Sequence, residues 1–159
     1  MGLLERIGVD VGRKLPLEQA ITWAAASGVR YIDIQLDTGA NAFTSFDEAR
    51  ARAIRASLEK HDVHLGLHTL SAINVAEYSP LVSEAVDAYL MAYIDAMPKL
   101  GAHSIVVHAG YHFTADVKMR MEAGRERLKR MVAYAEKKGA LLLLENLNKE
   151  PADAEVHYL

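Results

Sequence analysis

The chain has 159 residues, a net charge of −3, and 51% hydrophobic and 25% charged residues, the profile of an ordinary globular domain. It contains no cysteine, which excludes disulfides and thiolate metal sites and makes a reducing cytoplasm the expected location. No run approaches the roughly 18 apolar residues of a membrane helix, the first residues lack a signal core, Arg6 stands where a myristoylation signal wants Ser or Thr, and no basic excess points to nucleic acid or an anionic membrane.

A first strand is expected near Arg6 to Val11. Pro16 opens a helix at its first turn, running to about Ser27. Gly28 stands where a helix C-cap needs φ > 0, and the strand Tyr31-Ile32-Asp33-Ile34 follows. Ser45-Phe46-Asp47-Glu48 reads as a capping box, with Ser45 as the cap and Glu48 bonding back. The helix behind it runs to about His61, whose ring can sit against the C-terminal dipole. A third strand, Val63 to His68, leads to a helix opened by Ser79-Pro80 and ending near Leu100, with Pro98 marking a frayed last turn. Gly101 precedes a fourth strand, Ser104 to His108, and Thr114-Ala115-Asp116 opens a fourth helix reaching Lys137-Lys138. Gly139 then introduces Leu141-Leu142-Leu143-Leu144-Glu145-Asn146.

The unit of turn residue, apolar strand and helix is an internal repeat, and such alternation predicts a mainly parallel sheet. An open doubly wound sheet and part of a closed barrel both fit five such units. Strands covered by helices on both faces should be apolar throughout. Here one alternate set is apolar: Ile32, Ile34 and Leu36; Leu65 and Leu67; Ile105 and Val107; Leu142 and Leu144. The other holds Asp33, Gln35, His64, His68, Ser104, His108 and Glu145, denser toward the strand ends. A barrel lumen opening into a site has that pattern, so the fold class is α/β, a (β/α) TIM-barrel type with about five of the eight strands of a closed barrel.

Glu145 ends a run of four leucines, and burying an unpaired carboxylate there costs several kcal/mol. A cation should meet it. A metal ion is the economical candidate, against a partner Arg or Lys or a capping role. His108 is followed by small residues that leave room for a ligand, and His68 ends the adjacent strand in the same way. Imidazole and carboxylate together suit zinc, manganese or a related divalent ion. Asp33 and Gln35 can bind sugar hydroxyls or orient a histidine. His61, His64, His103 and His157 read as structural or surface residues, while His112 shares the loop after His108. The run from Lys118 to Lys138 reads as a solvated helix face, with Met119, Met121 and Met131 packing.

At these residues the chain resembles the amino-terminal part of the xylose-isomerase-like TIM-barrel superfamily, which includes sugar-phosphate isomerases and epimerases and endonuclease-IV-type apurinic endonucleases. His68-Thr69-Leu70-Ser71-Ala72-Ile73-Asn74-Val75-Ala76 is similar to the family's third-strand histidine with its Ile-Asn-Leu-Ala-like loop. Val107-His108-Ala109-Gly110 resembles its fourth-strand His-x-Gly, and Leu144-Glu145-Asn146-Leu147 its fifth-strand Glu-Asn. The resemblance implies Glu145 as metal ligand and acid/base, with His108 as metal or substrate ligand. For His68 it implies metal binding in the endonuclease branch and a substrate contact in the sugar branch, and Asn146 shares the motif on the substrate side. Gln35 stands where many sugar-branch members have Glu, and no Gly-Gln-Gly follows Asn146 as in the endonuclease branch.

The resemblance therefore implies a divalent-metal-dependent (Mn, Zn, Mg or Co) sugar or sugar-phosphate isomerase or epimerase acting on a small carbohydrate. The alternatives are an apurinic endonuclease-like nuclease and a non-catalytic half-barrel assembly module. Residues 1–159 are expected to form a single partial barrel domain, a fragment or truncated form inactive by itself because the family's remaining ligands lie on strands six to eight. Open strand edges invite pairing. The chain is expected to be a homo-oligomer or to lack its C-terminal half.

Overall fold

The computed structural model describes residues 6–108 and 116–145. Three of the helices are closed by a left-handed residue that turns the chain into the next strand: Gly28 at φ 68°, Asp62 at φ 53° and Gly101 at φ 73°. Asp62 occupies with a side chain a conformation glycine adopts freely, and its carboxylate takes a hydrogen bond from Arg30 at 2.7 Å. The elements are β1 (Gly8–Gly12), α1 (Leu17–Ser27), β2 (Tyr31–Ile34), α2 (Glu48–His61), β3 (His64–His68), α3 (Pro80–Leu100), β4 (Ala102–His108), α4 (Val117–Lys137) and β5 (Leu141–Glu145).

All the strand pairs are parallel and the order is β1-β2-β3-β4-β5, each strand lying beside its sequence neighbours. A doubly wound sheet would reverse direction at a switch point. This one never does, so the sheet curls in one sense as an unclosed part of a (β/α) barrel. The expected apolar set faces the helices: Ile32, Ile34, Leu36, Leu65, Leu67, Ile105 and Val107 are all at most 1% exposed. They pack with Leu17, Ile21, Ile54, Leu90, Ile94 and Met97 from the helices.

The opposite face carries a polar layer in register, with Asp10, Asp33, Gly66, Ser104 and Leu141 as successive lateral partners. Gly66 is required by its neighbour: a Cβ there would lie 1.9 Å from Asp33 Oδ1, so the missing side chain is the space the carboxylate occupies.

Local expectations needed correction at four helix starts or ends. Pro16 precedes α1 rather than opening it, and the Leu17 N–H goes to Asn41 Oδ1 at 2.9 Å from the β2–α2 connection. The cap of α2 is Asp47, which accepts from Arg50 N at 2.7 Å, and not Ser45. Burial of Phe46 at 4% exposure pulls the chain out of helical conformation there, and the Ser45 hydroxyl donates back to Ala42 O. Pro98 does not fray α3, because Met97 and Leu100, each 1% exposed, anchor its last turn in the core. Asp116 precedes α4 without capping it, its carboxylate taking the Tyr78 hydroxyl at 2.7 Å, while Thr114 and Ala115 lie outside the described residues.

The solvated reading of α4 fails at Arg127, which is 1% exposed, and Met119 is exposed at 53% while Met131 packs at 2%. No helix among the described residues is long and apolar enough to cross a membrane.

Candidate metal centre

Three strand ends bring their last side chains together on the lumen face. His68 ends β3, His108 ends β4 and Glu145 ends β5, with His108 and Glu145 lateral partners. One potential donor atom from each lies within 4.8 Å of the others. His68 Nε2 is 3.1 Å from His108 Nε2 and 3.1 Å from Glu145 Oε2, and His108 Nδ1 is 3.7 Å from the same oxygen. The two rings stack with centroids 5.1 Å apart.

The side chains of His68 and His108 are only 15% and 12% exposed, while Glu145 is 42% exposed. Burial pushes the His108 pKa down, Glu145 pulls it back up and His68 pushes it down again, with a net lowering. The lowering favours the neutral ring, the form that ligates metals.

The donor set fits a divalent ion. Among the described residues, His68 Nδ1 and Glu145 Oε2 are buried atoms without a hydrogen-bond partner. An orphaned carboxylate oxygen facing two imidazoles is costly unless a cation meets it. Two histidines and a glutamate are also the protein ligands of several catalytic zinc sites, which keep a further position open for water or substrate.

The lumen layer beneath is acidic. Asp10 Oδ2 lies 3.8 Å from His68 Nδ1. Asp33 sits below the histidine on β2, where burial raises its pKa, His68 lowers it, and Asp10 and Glu145 raise it further, for a net rise. Gln35 follows β2 directly, its N–H bonded to Gly12 O at 3.2 Å, so its backbone extends the sheet. Asn146, His112 and His157 lie outside the described residues. His61 ends α2, whereas His64 and His103 lie at the opposite ends of β3 and β4 from the centre, with Tyr31 stacked on His64 at 4.9 Å.

Sequence reasoning missed the groups that hold the connections. Arg127 on α4 reaches across to the β3–α3 connection, donating to the carbonyls of Val75 and Glu77, to Ser83 Oγ and to Asp87. Tyr89 and Tyr93 on α3 both donate to Asp37, at 2.8 and 2.7 Å. The one signal available was a pair of hydroxyls four residues apart on an otherwise apolar helix face.

Residues 21–156 match the family model described as xylose isomerase-like TIM barrel. D-psicose 3-epimerase with D-tagatose from Clostridium cellulolyticum superposes with a TM-score of 0.77 at 17% identity over 95% of this chain and 59% of that one. Endonuclease IV from Thermus thermophilus gives 0.69 at 21% identity, covering 87% of this chain and 51% of that one. A xylose isomerase domain protein from Planctomyces limnophilus gives 0.69 at 15% identity, covering 96% and 57%. No curated protein matches by sequence. The chain thus spans little more than half the length of the solved structures it matches.

Proposed function

This chain belongs to the xylose isomerase-like TIM-barrel family, and from that premise we propose that it carries part of a divalent-metal-dependent sugar isomerase or epimerase site. The observation that supports this reading best is the convergence of His68, His108 and Glu145 donor atoms within 4.8 Å at the carboxyl ends of three barrel strands. Glu145 and His108 are the metal ligands in this reading, and His68 borders metal and substrate. A bound divalent ion would supply Lewis-acid polarisation of a substrate carbonyl and its neighbouring hydroxyl.

The chain's own residues carry the rest. The Glu145 carboxylate takes the proton from the carbon next to the carbonyl; the C–H bond breaks, an O–H forms on the carboxyl, and its electron pair moves toward the carbonyl oxygen. His108, with Nδ1 3.7 Å from that carboxylate, stands beside it as the second ligand for the ion. Asp33 and Gln35, on the lumen side of β2, hydrogen-bond sugar hydroxyls and hold the open chain of the substrate in one orientation, and the resemblance adds Asn146 on the substrate side. An open site on a partial barrel is proposed to need a further sheet against β5, from a second copy or a longer chain, for full turnover.

The test separates the two halves of the reading. Titration of the purified chain with Co2+, followed by visible absorption, should show one site whose affinity falls at least roughly 10-fold in Glu145→Gln and His108→Ala. Solvent-deuterium exchange into a ketohexose, next to its carbonyl, should require the metal and Glu145. Absence of Co2+ uptake sinks the metal centre. Uptake without exchange, in the presence of a completing barrel partner, sinks the sugar chemistry.

A further inference from the structure

The ends of β2 and β3 leave the sheet in parallel ways. The Gln35 N–H makes the last bond of β2 to Gly12 O, and Thr69 N–H makes that of β3 to Val106 O at 3.0 Å. In each strand the next N–H has no strand to pair with. Leu36 N–H goes to the Tyr93 hydroxyl at 2.9 Å, and Leu70 N–H goes to the Tyr89 hydroxyl at 3.0 Å. Both hydroxyls then donate to Asp37, one to each carboxylate oxygen.

Each phenol therefore accepts from the backbone and donates to the same carboxylate. The two hydroxyls spend their hydrogens on the Asp37 oxygens and so face the backbone N–H groups with their lone pairs. Tyr93 is fully buried and packs edge-on against Phe43 with centroids 5.0 Å apart. Burial raises the Tyr89 pKa to about 12 and pushes Tyr93 up as well, so both remain donors at any pH the fold meets. A fully satisfied network anchored on the buried Tyr93 holds one geometry.

We infer that Tyr89, oriented by Asp37, is a positioning residue for His68. Its hydroxyl holds Leu70, two residues beyond the histidine, and so fixes where β3 ends and how far His68 stands from His108 and Glu145. Tyr93 does the same for β2 and Gln35, away from the metal ligands. The inference rests on the reading of His68, His108 and Glu145 as a metal centre. Groups around metal ligands characteristically shift affinity by about 10–100-fold when removed.

Tyr89→Phe and Tyr93→Phe remove the same hydroxyl from the same helix, so the pair separates positioning from general weakening. Co2+ affinity should fall about 10-fold in Tyr89→Phe, with a changed visible spectrum, and stay within about 2-fold of the parent in Tyr93→Phe. Both variants should lose thermal stability to a similar degree. Unchanged Co2+ binding in Tyr89→Phe, or equal losses of Co2+ affinity in the two variants, would overturn the inference.

If the parent binds no Co2+, the metal reading fails on its own. The inference is then judged by the imidazole NMR signals, with His68 displaced or broadened in Tyr89→Phe and unmoved in Tyr93→Phe. An unmoved His68 in both overturns it. Should Tyr89→Phe not fold, Asp37→Asn serves. An amide cannot accept both hydroxyls through one face without turning an N–H toward a phenol, and the same two readouts decide.

Discussion

Replacing Arg127 by methionine isolates the largest buried polar contribution to the site's surroundings. The guanidinium is 1% exposed and spans from α4 to α3 and to the connection that follows His68. Its loss leaves the carbonyls of Val75 and Glu77 without their donor, and each orphaned acceptor costs about 1–3 kcal/mol. Asp87 is not stranded, because Arg130 still reaches it at 2.6 Å and its side chain is one-fifth exposed. That holds the total near the low end of the about 3–5 kcal/mol for breaking a buried pair, and methionine refills part of the volume.

A loss of about 3 kcal/mol lowers Tm by roughly 6–12 °C in a domain of this size. Urea and thermal unfolding followed by circular dichroism measure it, and hydrogen exchange should accelerate first in residues 75–79. Arg127→Lys keeps the charge without the planar fork and should lose most of the same stability. A change below about 1 kcal/mol, with unaltered exchange in that segment, would refute the claim that this side chain holds the connection.

Three further outcomes follow from the same geometry. Burial pushes the Asp87 carboxyl up, but hydrogen bonds from Arg127 and Arg130 outweigh it and set it below the ordinary value. Its contribution is thus complete above the unfolded pKa and lost as pH falls through the folded one, so parent and Asp87→Asn should differ at neutral pH and converge below about pH 4 in pH-dependent urea melts. Gly66→Ala should cost about 1–3 kcal/mol by displacing Asp33, and a double-mutant cycle with Asp33→Ala should return a coupling energy of about 1 kcal/mol or more; additive losses would contradict the contact. Light scattering should show concentration-dependent association that Leu143→Lys abolishes, whereas a concentration-independent monomer would count against pairing through β5.

The barrel and the convergence of three strand-end side chains were legible because both depend on period-2 alternation, which is written into each strand independently of its partners. Helix starts were displaced by a residue or two where a core contact outbid a local cap, as when Phe46 entered the core and moved the cap from Ser45 to Asp47. The supports of the site were illegible for a different reason. Leu17 finds Asn41 24 residues away, and Leu36 finds Tyr93 57 residues away. Arg127 looked like one more cation in a run of charged residues, and only the fold decides which turn of α4 faces inward. Alternation shows which face a residue occupies; it carries no information on which distant group will satisfy it.

Glu145 couples the site to the most exposed strand. On the lumen face Leu141 and Leu143 are 58% and 42% exposed, and Leu144 on the other face is 38% exposed, while the helix-facing Ile34 of β2 and Leu67 of β3 are fully buried. Covering three half-exposed leucines is worth about 2–4 kcal/mol, at about 1.5–3 kcal/mol for each full burial. Association costs an estimated 4–15 kcal/mol, on the order of several such burials, in lost freedom. The leucines alone therefore do not hold a partner. A partner held there would also have to pair with the edge of β5, which has no second neighbour among the described residues, in a register set by the strand's own N–H and C=O groups. A strand laid there would bury the leucines and restrict Glu145, the least buried of the three converging side chains, in one step. Strand pairing at β5 and ordering of the metal centre should consequently rise together, with Co2+ affinity increasing over the same protein-concentration range as association, and Leu143→Lys weakening both.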